Sequence, residues 1–526
     1  ATPGKITNTN SGKVMINTGN LILEKATLNS NGITVLENND PGTVIINSGT
    51  VNVDNPISGL RVIKNNSTKI ITINGGKISA RAYDNYNRGP IAIYSTNGTI
   101  IVNGGTIEAG SSYGEYDAGI PLYIESAARL ELNNPSDNDN EIILQATAYG
   151  IYNSGEAIIN KGTIPGIKNS GNMTINNGNI SSILINQGTK KLTINGGTIN
   201  VNNVNNTSSG EIDILGGEIN TSYYGIINSS NGIINISSGT ISTSDTYREL
   251  ISNQYEGTIN INGGIFKTSG GSGITISRGT VNISNATFEN CSIGISQSGG
   301  TTNIKENTII NASDKGIDIS GGTLNIGEKE NVSFDDPSIT GTNYGVYNTN
   351  GKIYFYDGII KGKQNQSIYG VVTETEPGYK IRKTTENEVE SSILEIIGTE
   401  ERAIVVNGIN FIDLQAAINA VPDNTETTME LYSNIILNSD IVIPEGKIIN
   451  LYYRGYKITK GNYTITNNGT VNVKDEDTSG GILGTIKALL NIEDNNISKN
   501  VIVYQMDDGS ILSSVEDYTL ESLVNG

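Results

Sequence analysis

The chain has 526 residues, with 34 Lys and Arg against 53 Asp and Glu, a net charge of −19, one Cys and neither His nor Trp. Such acidity repels nucleic-acid phosphates, and the missing histidine excludes Ser-His-Asp and Cys-His catalysis and His-ligated zinc. Cys291 alone makes no internal disulfide or thiolate cage, and no apolar run reaches the roughly 18–20 residues of a membrane helix.

The start, Ala1-Thr2-Pro3-Gly4, carries neither an initiator Met nor a signal peptide, which fits a processed or trimmed piece of something longer. From residue 5 to about 370 one unit recurs, written most plainly as Leu192-Thr193-Ile194-Asn195-Gly196-Gly197-Thr198-Ile199. Its anchors are Gly19, Gly49, Gly76, Gly105, Gly178, Gly197, Gly217, Gly239, Gly264, Ala286, Asn307 and Gly358. An apolar residue stands three places before each, from Ile16 and Ile46 to Ile304 and Phe355. Another stands two places after, from Leu21 and Val51 to Ile309 and Ile360.

Alternate residues of a strand face one side, so Leu192 and Ile194 point together. Ile199 shares their core only if the chain bends at Gly196-Gly197, where glycine supplies the backbone freedom. Central anchors are 19, 20, 22 and 25 residues apart (178 to 197, 217, 239 and 264), the length of one solenoid coil. A softer element lies between them, as in Tyr149-Gly150-Ile151-Tyr152-Asn153, Tyr224-Gly225-Ile226-Ile227-Asn228 and Tyr344-Gly345-Val346-Tyr347-Asn348. It reads as the other long strand of each coil. The prediction is an all-β, right-handed parallel β-helix of roughly fifteen coils at ~4.8 Å, on the order of 70 Å long. Its core is stacked Ile, Val and Leu, and its corners are ladders of Asn and Ser.

On these motifs residues 5–370 resemble the pectin-lyase-like superfamily of right-handed parallel β-helices. More narrowly, they are similar to the Asn- and Gly-rich solenoids of bacterial surface proteins from low-GC organisms. The resemblance implies the fold and leaves activity open, because adhesins, lyases, hydrolases and tailspikes share the scaffold.

The first domain therefore spans residues 1–370. Residues 371–403, charged and alternating after Glu374-Thr375-Glu376-Pro377-Gly378, read as a connector or closing hairpin over the last coil. Phe411, Leu414, Ile418 and Val421 then form a helical stripe ending before Pro422. With the short strands that follow, this stripe resembles the opening of pectin-lyase-like modules, where a helix caps the first coil. Residues 404–526 are expected to be a short second β-solenoid, its helix at about 411–421.

Candidate chemistry is sparse. Tyr83, Tyr86 and Arg88, then Tyr113 and Tyr116, sit in irregular stretches. Tyrosine combines an apolar face with a hydroxyl, as glycan or protein contacts require, and solenoids bind through loops. Glu115 and Asp117, at i and i+2, can share a strand face as a carboxylate pair. Asp335 and Asp336 precede Pro337, with Asp357 about one coil later. Glycosidases need two carboxylates about 5–10 Å apart. Asp137, Asp139 and Glu141 have calcium-ligand character but lack EF-hand spacing. No cofactor is expected other than calcium at these three acids. The Gly-His-Gly motif of polygalacturonase-like hydrolases is impossible here.

The expectation is a non-enzymatic extracellular solenoid, the stalk or adhesive segment of a bacterial cell-surface protein, binding a host or microbial glycan or protein through its loops. A polysaccharide lyase or glycoside hydrolase on the same scaffold is the alternative, and a tail-fibre-like recognition rod a further one.

Overall fold

The computed structural model describes residues 4–8, 12–55, 59–82, 89–111, 119–133, 141–146 and 149–474, with the backbone of two short strands, Tyr504–Gln505 and Ile511–Leu512. The repeat builds a long parallel β-solenoid in which each coil contributes a strand to three stacks. Stack A follows the anchor, as in Gly49–Asn55, Lys77–Ala82 and Gly105–Ser111. Stack B is the softer element, as in Ile151–Asn153 and Ile167–Asn169, and stack C precedes the next anchor, as in Lys191–Ile194 and Glu211–Ile214. Long strands such as Ile91–Val102 turn a corner and serve stacks B and C together.

The inward rows form one continuous apolar core from Leu23 to Leu394. The anchors sit at the corner between stacks C and A, and their glycines are packed on one another. Gly76 has φ +87°, and a Cβ there would lie 2.6 Å from the carbonyl oxygen of Gly49. At Gly197, φ +93°, it would lie 2.7 Å from that of Gly178. Left-handed backbone and close approach together demand glycine.

Two anchors differ from the sequence reading. Asn20–Leu23 pairs with Thr43–Ile46, so Gly19 precedes a stack C strand, and the partner of Gly49 is Ala26. Ile16 then faces outward in stack B and is 59% exposed. At the other misplaced anchor Phe288 pairs with Ile310, so Ile310 is buried and Ile309 is 41% exposed. Asn307 turns the corner one residue earlier, at φ 51°, as Asn285 does at φ 53°. A shift of one residue reverses every side chain of a strand. The coils entering stack A at Ile142 and Gly162 escaped the motif, Thr163–Ile164 being all that remains of that strand.

The Asn ladders expected at the corners are present. Asn153, Asn169, Asn186, Asn206, Asn228 and Asn253 end successive stack B strands, buried, each Nδ2 donating to the next Oδ1 at 2.8–3.3 Å. Nδ2 of Asn206, Asn228 and Asn253 also donates to the carbonyl of a corner glycine at 2.9 Å. The amides are thereby satisfied without water, which makes their burial tolerable.

The parallel series of stack A ends where Val389–Ile396 runs antiparallel to Ile359–Lys363 and to its hairpin partner Tyr379–Glu386. Buried Glu390 holds this closure: Ser367 donates to it through N, at 3.1 Å, and through Oγ, and Lys383 Nζ lies 3.1 Å away. Burial pushes the Glu390 carboxyl up, but these donors outweigh it and leave it below the usual carboxylate range.

A second core follows, built from Ile404, Phe411, Leu414, Ile418, Val421, Leu431 and Leu451. Here Glu426–Leu431, Ile448–Tyr452 and Thr470–Lys474 stack in parallel. Helix α1 is Leu414–Ala420, with Asp413 as N-cap accepting from Ala416 N at 2.8 Å. Phe411 belongs to the strand before it, Ile409–Phe411. Gln415 ties the helix to Val442 by two reciprocal 2.8 Å hydrogen bonds.

Candidate functional site

The outward row of stack B carries the feature that sets it apart. Register places Lys64, Tyr94, Tyr123, Tyr152 and Lys168 on consecutive coils. Strand spacing brings the rings into contact: Tyr94 and Tyr123 have centroids 5.3 Å apart, and Tyr123 and Tyr152 lie 4.6 Å apart and within 5° of parallel. Cations close both ends. The Arg61 guanidinium sits 3.9 Å over Tyr94, and Lys168 Nζ lies 5.6 Å from the Tyr152 ring centre.

With their faces occupied, these half-buried rings offer edges and hydroxyls. Tyr94 Oη donates to Glu125 at 2.7 Å, and Gln187 Nε2 donates to Tyr152 Oη at 3.1 Å. Burial, with the neighbouring Tyr152 phenol and the Glu125 carboxylate, pushes the Tyr123 phenol up to about 12. Burial and Glu125 also raise Tyr94. At neutral pH Tyr94 and Tyr123 therefore present neutral hydroxyls.

The same row bears tyrosine again at its far end. Asp318, Tyr347 and Tyr369 are register partners, Tyr347 and Tyr369 stack at 4.7 Å and 11°, and Tyr344 meets both rings edge-on. Lys315 Nζ lies 4.4 Å from the Tyr347 ring centre and 2.6 Å from the Asp318 carboxylate. Between the two tyrosine groups the row is polar in places (Asn205, Thr275, Ser296) but buried at Ile227 and Ser252, which divide it. In the adjoining corner Arg248 lies 4.6 and 4.4 Å over Tyr223 and Tyr224 and donates to both hydroxyls.

Of the residues singled out from the sequence, Tyr83, Tyr86, Arg88, Tyr113, Glu115, Tyr116, Asp117, Asp137 and Asp139 lie outside the described residues.

Glu141 is exposed and accepts from Thr163 Oγ1 at 3.2 Å. Asp357 is buried and used up by the chain: Ser333 N and Oγ and Phe334 N donate to it at 2.8 Å, and Gly358 N at 2.6 Å. Asp336 accepts from Asn307 N at 2.6 Å, and Asp335 is exposed. Asp336 fastens this loop to the corner of the preceding coil and Asp357 to that of the next. Among the described residues no three acidic or Cys side chains converge as a metal-binding group. Burial raises the Cys291 thiol to about 11, away from thiolate reactivity.

Sequence reasoning passed over Tyr94, Tyr123 and Tyr369. A signal existed, because Tyr152 and Tyr347 occupy the same place in two copies of the softer element, next to an inward aliphatic. Fold and site define a parallel β-solenoid with tyrosine rows on one outward face. No protein-family model matches the chain, and no curated protein or solved structure matches it.

Proposed function

We propose that this chain is a non-enzymatic solenoid of the pectin-lyase-like kind, an extracellular stalk or adhesive segment of a bacterial cell-surface protein that holds a glycan along stack B. The observation that carries this reading is the first tyrosine row. Three rings are locked side by side on a rigid sheet, with hydroxyls outward and Arg61, Lys64 and Lys168 beside them. Preorganised hydroxyls and cations suit a partner rich in hydroxyl groups, since little side-chain entropy is lost on contact. The engagement of Asp357 and Asp336 in loop anchoring supports binding over hydrolysis.

The test is a glycan array run with calcium and with EDTA, reading retained ligand and released sugar. Retention without release, weakened by Tyr123→Ala, is expected. Release of sugar that EDTA abolishes would replace the binding function with a lyase.

A further inference from the structure

Ring faces separate the two tyrosine groups. In the first row Arg61 and Lys168 close the outer faces of Tyr94 and Tyr152. In the second, Lys315 covers Tyr347, Tyr347 stacks on Tyr369, and the row then ends. Among the described residues Ile368–Tyr369 is the last strand of stack B, because the closing hairpin continues stack A alone. Among the described residues no ring or cation lies over the second face of Tyr369, which is 46% exposed, and neighbouring Val371 is 76% exposed.

We infer that the open face of Tyr369 is a stacking subsite for one sugar unit of a glycan bound at this end of stack B, a site separate from the first tyrosine row. Tyr347 behind the ring and Tyr344 at its edge hold it in one orientation, so a ligand does not have to order it. A pyranose presents a face of C–H bonds to such a ring and keeps its equatorial hydroxyls in water. The size of the patch argues for a sugar over a protein partner. Protein hot spots lie inside wide desolvated surfaces, whereas here the stack ends in one exposed ring and one exposed valine, and behind Tyr347 the row turns polar at Asp318, Ser296 and Thr275. Flat, equatorially linked β-1,4 chains fit best, since each unit can offer its C–H face to the ring.

This inference rests on the glycan-binding reading, and the experiment separates the two. The 526-residue chain is titrated calorimetrically with cellohexaose, xylohexaose and chitohexaose. At least one should bind. Tyr369→Ala should weaken that binding about tenfold, the worth of one aromatic contact, while Tyr369→Phe, which keeps the face, stays within about twofold. Far-UV melting checks that Tyr369→Ala remains folded. Unchanged affinity in Tyr369→Ala would overturn the stacking subsite and leave the glycan reading standing. No binding of any hexasaccharide by the unaltered chain would overturn both.

Discussion

Tyr123 and Tyr369 occupy the same outward row of the same stack, yet one is in the middle of a sandwich and the other at its end. Tyr123 has a ring on either side, at 5.3 and 4.6 Å, whereas Tyr369 has one stacked neighbour, at 4.7 Å. Position along the axis alone makes this difference, because a parallel stack gives every interior residue two register partners and every terminal residue one. Interior tyrosines therefore spend their ring faces on stability, and a terminal one keeps a face for a ligand. The same asymmetry holds for inward residues. Ile6, in the first strand of stack A, has the register of buried Leu28 and is 51% exposed.

The largest effect should come from the core beneath the rows. Ile124→Asp places an unpaired carboxylate in mid-stack and should cost several kcal/mol, about 4 or more, unfolding the neighbouring coils. Ile368→Asp, at the 8% exposed end of the stack, should cost clearly less. Equal falls in melting temperature would erase the distinction between interior and end.

Next are the rings themselves. Tyr123→Ala removes two ring contacts and should lower stability by about 2 kcal/mol, and Tyr369→Ala by about 1 kcal/mol or less. Urea midpoints at constant slope measure both, and the reverse order would mean that the second cluster is the structural one.

Alkali sharpens the comparison further. The folded chain favours neutral Tyr123, so the stability this phenol contributes is complete below the ordinary tyrosine value of about 10. It is lost as pH rises through about 12. A spectrophotometric titration should show a late tyrosine class that moves to lower pH in Glu125→Gln, where the neighbouring charge is gone. If Glu125→Gln leaves the titration unchanged, the carboxylate has no part in holding the row neutral.

The smallest effect concerns the end of stack C. Glu376 is buried, its Oε2 has no hydrogen-bond partner among the described residues, and burial raises its carboxyl. Its contribution is present at low pH and is lost as pH rises through the raised value. Glu376→Gln should therefore stabilise the chain by about 1 kcal/mol at neutral pH and do little in acid. A loss of stability at pH 7 would show that the carboxylate is used.

The repeat was legible because it is periodic and local. Ile194, Gly197 and Ile199 restate one strand, corner and strand, and burial of Ile194 and Ile199 follows from alternation once the bend is allowed. The misreadings at Gly19 and Asn307 have a local cause too. Each has the flanking residues of an anchor, but the anchor's place in the coil is fixed by which strands pair. Asp357 shows the same limit in chemistry. An acid near a turn reads as a possible catalyst until Ser333, Phe334 and Gly358 are seen to consume its lone pairs.

The sequence alone determined the solenoid, its aliphatic core and its Asn corners, because each depends on spacing within one coil or from one coil to the next. Tertiary structure decided the rest. Tyr94, Tyr123 and Tyr152 become one row only through a register that joins residues 29 apart in sequence. Which ring face stays open depends on where stack B stops. Neither is written in any segment, since both arise from the stacking of coils whose lengths vary along the axis.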